Sequence, residues 1–380
     1  MQTEAQTKII AQIALKLSGL KIKAQYKHMH TGPLISTYYF QLGFDEPISK
    51  IMNKSEDIAI ACGVDSVLIR RANAEIAIEV PNKERSIVDF SKCLFDLMTN
   101  SEYRKMALPI LLGVDTYGNT KSINLVDQPH ILIAGSTGGG KSILLSSIIG
   151  ALAVAKSERE VKFILVDTKR LDLPLFENLP HTFKSIEQVE DFQKALDNLM
   201  QLVRKRTEMM KGIARNSTEW NSLGHSPYMP YYVIIIDELA DLIAQDEGRR
   251  LLDLTYDETY SKIPSRIASL VNICRASGVH IIAATQRASA KVINGEIKNN
   301  MPTRIALRVP SRIDSTTIIS ERGAEGLLGK GDMLVDSLES SIPQRYHGAF
   351  VSNSDIAKIL AEASEIRQQL KSLPEVVKQG

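Results

Sequence analysis

The sequence predicts an α/β fold with a mainly parallel sheet, preceded by a small α+β domain. From residue 130 onward, short apolar runs of strand length alternate with longer helical segments, which is typical of a parallel sheet covered by helices. A glycine-rich stretch follows the first of these runs and precedes the next helix. We therefore expect an amphipathic helix over residues 1–18, a small α+β domain over 19–102, the α/β domain over 103–374 and a frayed tail over 375–380.

Length and composition agree with this division. A chain of 380 residues is too long for one ordinary core and implies two or three folding units. The formal net charge is +2, so any site for a polyanion must be a local patch. Cys62, Cys93 and Cys274 lack the spacing of metal ligands. They are typical of small buried residues in a reducing compartment.

The sequence gives no sign of direct membrane insertion. No run approaches the roughly 18 apolar residues that a membrane span needs. The first residues lack the basic start and apolar middle of a signal peptide. We expect a cytoplasmic protein, although a partner could still tether it to a membrane.

The first 130 residues show no pattern that indicates catalysis. Apolar residues at helical spacing predict an amphipathic helix that packs on its own domain or recruits a partner protein. Beyond it, turn signals and changes of period mark the other elements. The predicted elements are helix Thr3–Leu17, strand Leu34–Phe40, helix Ile48–Ala61 ending at Gly63, strands Val64–Ile69 and Ala74–Val80, helix Ser86–Met98 and a hairpin over Leu108–Asp127.

The glycine-rich stretch predicts a phosphate-binding loop. It lies between the apolar runs Ile131–Ile133 and Ile143–Leu145, so a strand, a turn and a helix start follow in order. Glycines let backbone N–H groups surround the phosphates of a nucleotide, a lysine reaches the β and γ phosphates, and a serine hydroxyl ligates Mg²⁺. A flexible linker would not explain the lysine and serine at this spacing. The predicted nucleotide-binding residues are Gly135, Ser136, Thr137, Gly138, Gly139, Gly140, Lys141 and Ser142.

Two later strands supply the partners that a phosphate loop needs. Tyr231–Ile236 is a run of large apolar residues that ends in Asp237 and Glu238. Asp237 can hold the magnesium shell together with Ser142, and Glu238 can orient and deprotonate the attacking water. An apolar run ending in two acids is a weak signal alone and a strong one beside a phosphate loop.

A polar residue at another strand tip completes the predicted site. The run Val279–Ala284 is followed by Gln286, which can sense the γ-phosphate. In open α/β sheets the ligand lies at the carboxyl ends of the strands, where these tips fall. The remaining predicted elements are strand Val161–Asp167, helix Ile186–Ala214, strand Arg304–Val309, late strands Asp332–Val335 and His347–Val351, and helix Asp355–Leu370. Basic residues Arg204–Arg206 on the long helix are most often solvated surface.

Longer stretches of the sequence resemble one known family, the FtsK/SpoIIIE translocases of double-stranded DNA. The resemblance covers roughly residues 20–352. It is carried by Gly32–Ser36, Glu79–Lys83, Pro129–Gly135, Ile236–Leu242, Ala276–Ile281, Ala284–Arg287, Ile297–Ala306, Gly323–Gly329 and His347–Val351. It implies a RecA-like P-loop motor domain over 103–374, with ATP and Mg²⁺ as ligands.

The chain also departs from the family pattern. We expect no membrane-spanning amino terminus, long linker or carboxyl-terminal winged-helix module. Ala288 stands where the alanine-threonine-glutamine-arginine motif is normally followed by proline. The chain is longer than the family pattern over Gln245–Ser265, which we expect to be extra surface. The resemblance therefore implies a motor core without the usual anchor or sequence reader.

The resemblance implies roles for several basic residues. Arg275 matches an arginine finger that acts on the neighbouring subunit, and Arg312 a basic sensor at the same interface; from the residues alone, ordinary helix or loop salt bridges are the alternative. A site completed by a neighbour implies a homohexameric ring. Arg287, Lys291 and Lys298 match loops that hold the DNA backbone inside such a ring. Lys291 and Lys298 could equally be solvated.

Three functions remain open from the sequence. The first is an ATP-driven translocase of double-stranded DNA, acting in segregation, transfer or packaging. The second is a related protein-export ATPase of the type VII secretion kind, although those usually carry tandem motors with membrane segments. The third is an assembly module that binds ATP without mechanical work. Such a module needs neither the water-activating Glu238 nor a trans-acting Arg275.

Overall fold

The computed structural model describes residues 4–252 and 262–361. The predicted tail at 375–380 lies outside these ranges, as does part of the predicted surface stretch 245–265. Among the residues described, no helix combines the length and the apolar character that crossing a membrane requires. The strands in these ranges form two sheets, called here the small sheet and the large sheet.

The small sheet has four antiparallel strands in the order β1-β2-β4-β3. Its strands are β1 (Ala24–Thr31), β2 (Ile35–Leu42), β3 (Leu68–Ala72) and β4 (Glu75–Pro81). Its helices are α1 (Glu4–Gly19), α2 (Ile48–Met52) and α3 (Ser55–Cys62). Ile13 and Leu17 of α1 pack in one core with Ile76 and Ile78 of β4. Burial of these apolar side chains holds the predicted amphipathic helix against the sheet.

Three features of this region differ from the prediction, the first being that β3 spans Leu68–Ala72 and not the predicted Val64–Ile69. The helix predicted over Ile48–Ala61 is split in two, because the Asn53 side chain donates to the carbonyl oxygen of Ser49 and competes with the helical backbone. The second helix ends at Gly63, as predicted, in the left-handed conformation that favours glycine. Strand β1 was not predicted, since its polar residues at the sheet edge show no clear alternation.

The large sheet has ten strands in the order β6-β5-β14-β13-β12-β7-β11-β10-β8-β9. Its strands are β5 (Pro109–Asp115), β6 (Thr120–Asn124), β7 (His130–Ala134), β8 (Val161–Val166), β9 (Thr182–Ile186), β10 (Tyr231–Ile236), β11 (Val279–Thr285), β12 (Thr303–Leu307), β13 (Asp332–Asp336) and β14 (Gln344–His347). Its helices are α4 (Phe90–Thr99), α5 (Ser101–Arg104), α6 (Lys141–Ala155), α7 (Val189–Met210), α8 (Ser217–Ser222), α9 (Leu239–Leu252), α10 (Ile263–Cys274), α11 (Gly295–Asn300) and α12 (Arg312–Ile319). Residues 353–361 are also helical.

The predicted mainly parallel sheet is confirmed. Neighbouring strands from β12 to β9 run parallel, and β13, β14, β5 and β6 extend the sheet in antiparallel fashion. Each face of the sheet carries its own apolar core. The registers bring the carboxyl ends of β7, β8, β10 and β11 to one edge.

The last strand lies earlier than predicted. The structure has β14 at Gln344–His347, and Phe350 makes only an isolated bridge with Asp89. The strand ends before Gly348, whose N–H donates to the carbonyl oxygen of Gly331 at 2.8 Å. Strand β9 was also missed, and α7 begins after it at Val189.

A buried group of charges joins the two sheets. Arg345 of β14 donates to both carboxylate oxygens of Asp332 in β13, at 2.9 and 2.6 Å. The same guanidinium donates to Glu79 of β4 at 2.8 Å. All three side chains are buried, so each charge depends on the others for its stabilisation.

Candidate functional site

The glycine-rich loop lies at the edge where the parallel strands end. Gly138 and Gly140 have φ values of +79° and +108°, which other residues rarely adopt. A Cβ atom at Gly140 would lie 2.4 Å from the amide nitrogen of Gly331. The loop leads directly into α6, so backbone N–H groups at a helix start face the space beside it. This arrangement is suited to binding an anion.

A cavity of about 480 Å³ opens beside this loop. Its wall consists of the loop, the first turn of α6, the tip of β11, the segment before β13 and the segment after β14. The lining residues are Ser136, Thr137, Gly138, Gly140, Lys141, Ser142, Ile143, Leu144, Gln286, Lys330, Gly331, Gly348, Ala349 and Phe350. The predicted loop and Gln286 therefore line one cavity.

Lys141 and Asp237 form a buried pair at the floor of the site. Lys141 Nζ donates to the carbonyl oxygen of Asp237 at 2.7 Å and also to its carboxylate. Both residues are about 95% removed from solvent. Burial raises the pKa of the Asp237 carboxyl, and the charge of Lys141 opposes this effect. The predicted lysine and aspartate are thus brought together.

Glu238 is held by the neighbouring strand tip. The Thr285 hydroxyl donates to one of its carboxylate oxygens at 2.5 Å, and the Gln286 backbone N–H donates to the other at 2.9 Å. Gln286 also accepts a hydrogen bond from the Thr137 hydroxyl at 2.8 Å. Glu238, Gln286 and the phosphate loop therefore form one connected network. Thr285 was not predicted, because its role depends on the pairing of β10 with β11.

Asp172 is a site residue that the sequence analysis missed. The Ser142 hydroxyl donates to its carboxylate. The loop that carries Asp172 is organised by Asp167, whose carboxylate accepts hydrogen bonds from the backbone N–H groups of residues 169, 170, 171, 172 and 173. Asp167 at the end of a buried strand was a usable signal, since β8 ends at the same edge as the phosphate loop.

The oxygen donors at this point fit Mg²⁺. The described residues contain no group of three or more histidine, cysteine or acidic side chains able to hold a metal by themselves. Mg²⁺ in nucleotide sites typically takes only one or two protein ligands and completes its shell with water and phosphate oxygens. Ser142 and Asp237 supply hard oxygen donors beside the cavity, as that shell requires.

Two further segments support the phosphate loop. The carbonyl oxygen of Arg308, just after β12, accepts hydrogen bonds from the N–H and hydroxyl of Ser136, each at 2.9 Å. On the other side, the Gly331 N–H donates to the carbonyl oxygen of Gly139 at 2.8 Å. Lys330 precedes Gly331 and lines the cavity. Neither segment was predicted to be part of the site.

The structure does not place Arg275 in this site. Arg275 is exposed in a short 3₁₀ turn before the amino end of β11. Strand β11 has seven residues, and at about 3.3 Å per residue it separates Arg275 from Gln286 by about 20 Å. Arg312 begins α12 and forms ion pairs with Glu56 of α3 and with Glu325, at 3.0 and 3.6 Å. It therefore faces the small sheet.

The three predicted DNA-contacting residues follow the carboxyl end of β11. Arg287 is exposed, and Lys291 pairs with Glu247 at 2.6 Å while most of its side chain stays in solvent. Lys298 on α11 is half-buried, and burial together with the nearby charge of Arg304 lowers its pKa. Arg287 and Lys291 are thus available at the same edge as the phosphate loop.

Comparisons with known proteins agree with this geometry. The model of the FtsK/SpoIIIE family matches residues 95–290, and that of the FtsK alpha domain matches residues 1–82. The protein named DNA translocase FtsK of Lactiplantibacillus plantarum is 32% identical over 92% of this chain and 44% of its own length. Its namesake in Listeria monocytogenes is 34% identical over 89% of this chain and 45% of its own length. The chain thus spans less than half the length of these relatives.

Solved structures share the fold at lower identity. The conjugation coupling protein TcpA of pCW3, in a monomer form with ATPgS, superposes with a TM-score of 0.62 at 22% identity over 93% of this chain and 99% of that one. The cytoplasmic domain of the type VII secretion ATPase EccC of Thermomonospora curvata has a TM-score of 0.60 at 20% identity over 73% of this chain and 34% of that one. The fold is accordingly that of RecA-like P-loop ATPases. Together with the family match over residues 95–290, it confirms the predicted resemblance: the chain belongs to the FtsK/SpoIIIE family.

Proposed function

We propose that this chain is an ATP-driven translocase of double-stranded DNA that works as a homohexameric ring. The observation that carries the proposal is that the adjacent residues Asp237 and Glu238 are hydrogen-bonded, respectively, to Lys141 and to the tip of β11. Lys141 and Gln286, at the tip of β11, line one cavity. A module that only binds nucleotide has no need of a carboxylate held so firmly beside the phosphate loop. Relatives at 32% and 34% identity are named DNA translocases, which supports DNA as the substrate.

The residues of the site divide the work of ATP hydrolysis. The N–H groups of residues 135–142 and Lys141 bind the phosphates, so Lys141 exchanges part of its pairing with Asp237 for a phosphate oxygen. Ser142 and Asp237 would hold Mg²⁺, which would neutralise phosphate charge. Glu238 accepts the proton of the attacking water, because Thr285 and Gln286 keep its carboxylate fixed. Gln286 links the γ-phosphate position to the Thr137 hydroxyl.

The position of Arg275 supports a ring. An arginine about 20 Å along β11 from the site cannot stabilise charge on its own nucleotide. It is exposed at the opposite edge of the sheet, where it can reach the site of an adjacent copy. Arg312 pairs with Glu56 of α3. It therefore links α12 to the helices of the small sheet and does not contact the phosphates directly. We therefore assign Arg275 the role of a finger in trans.

The DNA is held by cations at the edge that carries the ATP site. Arg287 and Lys291 are exposed after β11, within a few residues of Gln286. A conformational change of Gln286 during hydrolysis can therefore be transmitted through the few residues of backbone that connect it to Arg287 and Lys291. Phosphate contacts of this kind position a duplex without reading its sequence. Lys298, half-buried and with a lowered pKa, contributes less than the other two.

The protein-export alternative has weaker support. It rests on the likeness to EccC, which at 20% identity shows a common fold only. The relatives of higher identity, which cover about nine-tenths of this chain, are named for DNA. DNA is accordingly the preferred substrate.

The decisive experiment measures ATPase rate with and without linear duplex DNA, together with displacement of a bound triplex strand. We expect the duplex to stimulate hydrolysis and the triplex strand to be released in an ATP-dependent manner. The Glu238→Gln variant is the matched control, since it should bind ATP and release no strand. Hydrolysis that ignores duplex DNA, with no displacement, would rule out the translocase.

A further inference from the structure

Lys330 has a backbone conformation that is unfavourable for its side chain. Its φ is +51°, and its neighbours Gly329 and Gly331 have φ values of +80° and +96°. A non-glycine residue in this left-handed region costs free energy, because its Cβ atom lies close to the following carbonyl oxygen. Glycines at 329 and 331 avoid that cost, whereas the central position carries a lysine.

Among the described residues, one strained residue of this kind lines the cavity. Within the described ranges, the non-glycine residues with positive φ are Lys21, Asn73, Arg170, Ser320 and Lys330. Of these, Lys330 alone lines the cavity beside the phosphate loop. Backbone strain that persists at a ligand cavity is a reason to look for a function there.

The surrounding structure holds Lys330 in this conformation. Its N–H donates to the carbonyl oxygen of Gly138 at 3.4 Å, and the Gly331 N–H donates to that of Gly139 at 2.8 Å. Asp332, the next residue, is fixed by the buried guanidinium of Arg345. The segment is therefore anchored on both sides, and the exposed Lys330 is fixed beside the loop expected to bind phosphates.

The charges around the cavity indicate what Lys330 could bind. Lys141 shares its charge with the Asp237 carboxylate, and the carboxylates of Glu238 and Asp172 lie in the same network as the phosphate loop. Among the residues that the structure describes, no carboxylate lies within ion-pair distance of Lys330. A polyphosphate that enters the cavity would therefore encounter Lys330, a lysine that forms no ion pair with a carboxylate of the described residues.

We propose that Lys330 is a second cation that binds the phosphate chain of the nucleotide, and that its strained backbone is retained for this purpose. The inference rests on the proposed function and adds to it a ligand contact outside the phosphate loop. The ligand class is the polyphosphate, so inorganic tripolyphosphate should use the same contact as ATP.

The test compares two substitutions at two strained lysines in the full chain. Lys330→Met removes the charge and keeps the strain, and Lys330→Gly removes both. Lys21→Met and Lys21→Gly are matched controls, since Lys21 has a φ of +54° and does not line the cavity. For each variant we would measure the affinity for ATP with Mg²⁺, the affinity for tripolyphosphate and the melting temperature without ligand.

We expect both Lys330 variants to bind ATP and tripolyphosphate about tenfold more weakly, which corresponds to about 1.4 kcal/mol. Each glycine variant should melt about 2 °C above the methionine variant at the same position, because strain is relieved. The Lys21 variants should bind both ligands like the native chain.

Three outcomes would overturn the proposal. One is native affinity in Lys330→Met, and another is a loss for ATP alone, which would place Lys330 at the nucleoside. The third is equal melting of Lys330→Gly and Lys330→Met, which would remove the strain argument. If the native chain binds neither ligand, the proposed function itself fails, and that result is distinct from these three.

Discussion

The Nζ atom of Lys141 lies 2.7 Å from the carbonyl oxygen of Asp237 and also donates to the Asp237 carboxylate. The lysine that we propose for phosphate binding and the aspartate that we propose for Mg²⁺ therefore neutralise each other in a buried pair. Each is positioned by the other before it meets a ligand. Because the two side chains depend on each other, removing either one should affect both ligand binding and the stability of the fold.

Lys141→Met should abolish ATP binding, because the phosphates lose their main buried cation. It also leaves Asp237 buried without a partner, and the pKa of Asp237 is already raised by burial. A carboxyl whose pKa is higher in the folded protein destabilises the fold increasingly as pH rises above its unfolded value of about 3.9. Urea unfolding should therefore show a larger loss relative to the native chain at pH 8 than at pH 5. The double variant Lys141→Met, Asp237→Asn should lose this pH dependence; if it does not, another group is responsible.

Thr285→Val should slow hydrolysis about tenfold and leave ATP affinity unchanged. The substitution keeps the shape of the side chain and removes the hydroxyl that donates to Glu238. The Glu238 carboxylate is then still present as the proposed base but is less well oriented. Steady-state kinetics separates the effects on kcat and KM. Glu238→Gln is the reference for complete loss of the base, with a fall in kcat of about 100-fold or more. Similar rates for Thr285→Val and the native chain would show that Gln286 holds Glu238 alone.

Asp172→Ala and Asp172→Asn should differ in Mg²⁺ affinity. The Ser142 hydroxyl donates its hydrogen to Asp172, which leaves an oxygen lone pair free for a metal. Asparagine still accepts this hydrogen bond, whereas alanine does not. Mn²⁺ binding in the presence of ADP, followed by electron paramagnetic resonance, should weaken about tenfold in Asp172→Ala and change less in Asp172→Asn. Equal loss in both would mean that the charge of Asp172, and not the hydrogen bond, matters.

Mixed rings should reveal whether Arg275 acts on a neighbour. Arg275→Ala subunits keep an intact Glu238, and Glu238→Ala subunits keep an intact Arg275. Where an Arg275→Ala subunit meets a Glu238→Ala neighbour that donates Arg275, one complete site forms. We therefore expect a mixture of the two inactive variants to recover part of the ATPase rate. A mixture as inactive as its components would contradict the assignment in trans.

Two buried histidines should make the large sheet sensitive to acid. Burial lowers the pKa of His280 to about 4 and that of His130 well below its usual range, and the charge of Arg275 adds to both shifts. Between pH 6.5 and about 4 the unfolded chain therefore binds protons that the folded chain does not, so stability falls as pH falls. From pH 7.5 to pH 5 His280 alone should cost about 2 kcal/mol of unfolding free energy, and His130 should act in the same direction. Replacing His280 by asparagine should reduce this slope; an unchanged slope would exclude His280 as a cause.

The sequence was enough to predict that the residues around the phosphate loop lie together, because each part of this group is local. Residues 135–142 combine loop, lysine and helix start in one stretch, and Asp237 and Gln286 each end an apolar strand. The rule that ligands lie at the carboxyl ends of parallel strands was enough to bring them together.

What the sequence could not supply depends on contacts between distant elements. Thr285 reaches Glu238 only because β11 pairs with β10. Asp172 reaches Ser142 because Asp167 organises the loop between them, which no spacing rule describes. Lys330 lines the cavity because the backbone that leads into β13 passes the phosphate loop, where Gly331 donates to Gly139. Strand β1 was missed for a different reason. None of its side chains is fully buried, so its sequence lacks a clear alternation of apolar and polar residues.

The guanidinium of Arg345 gives the fold a mechanical property. It binds Glu79 of the small sheet and Asp332, which directly follows the Lys330–Gly331 segment beside the phosphate loop. Separating these groups would leave a buried charge without a partner, which costs about 3–5 kcal/mol of stability. These three buried charges therefore couple the small sheet to the wall of the cavity, so displacing one from the other carries this electrostatic cost.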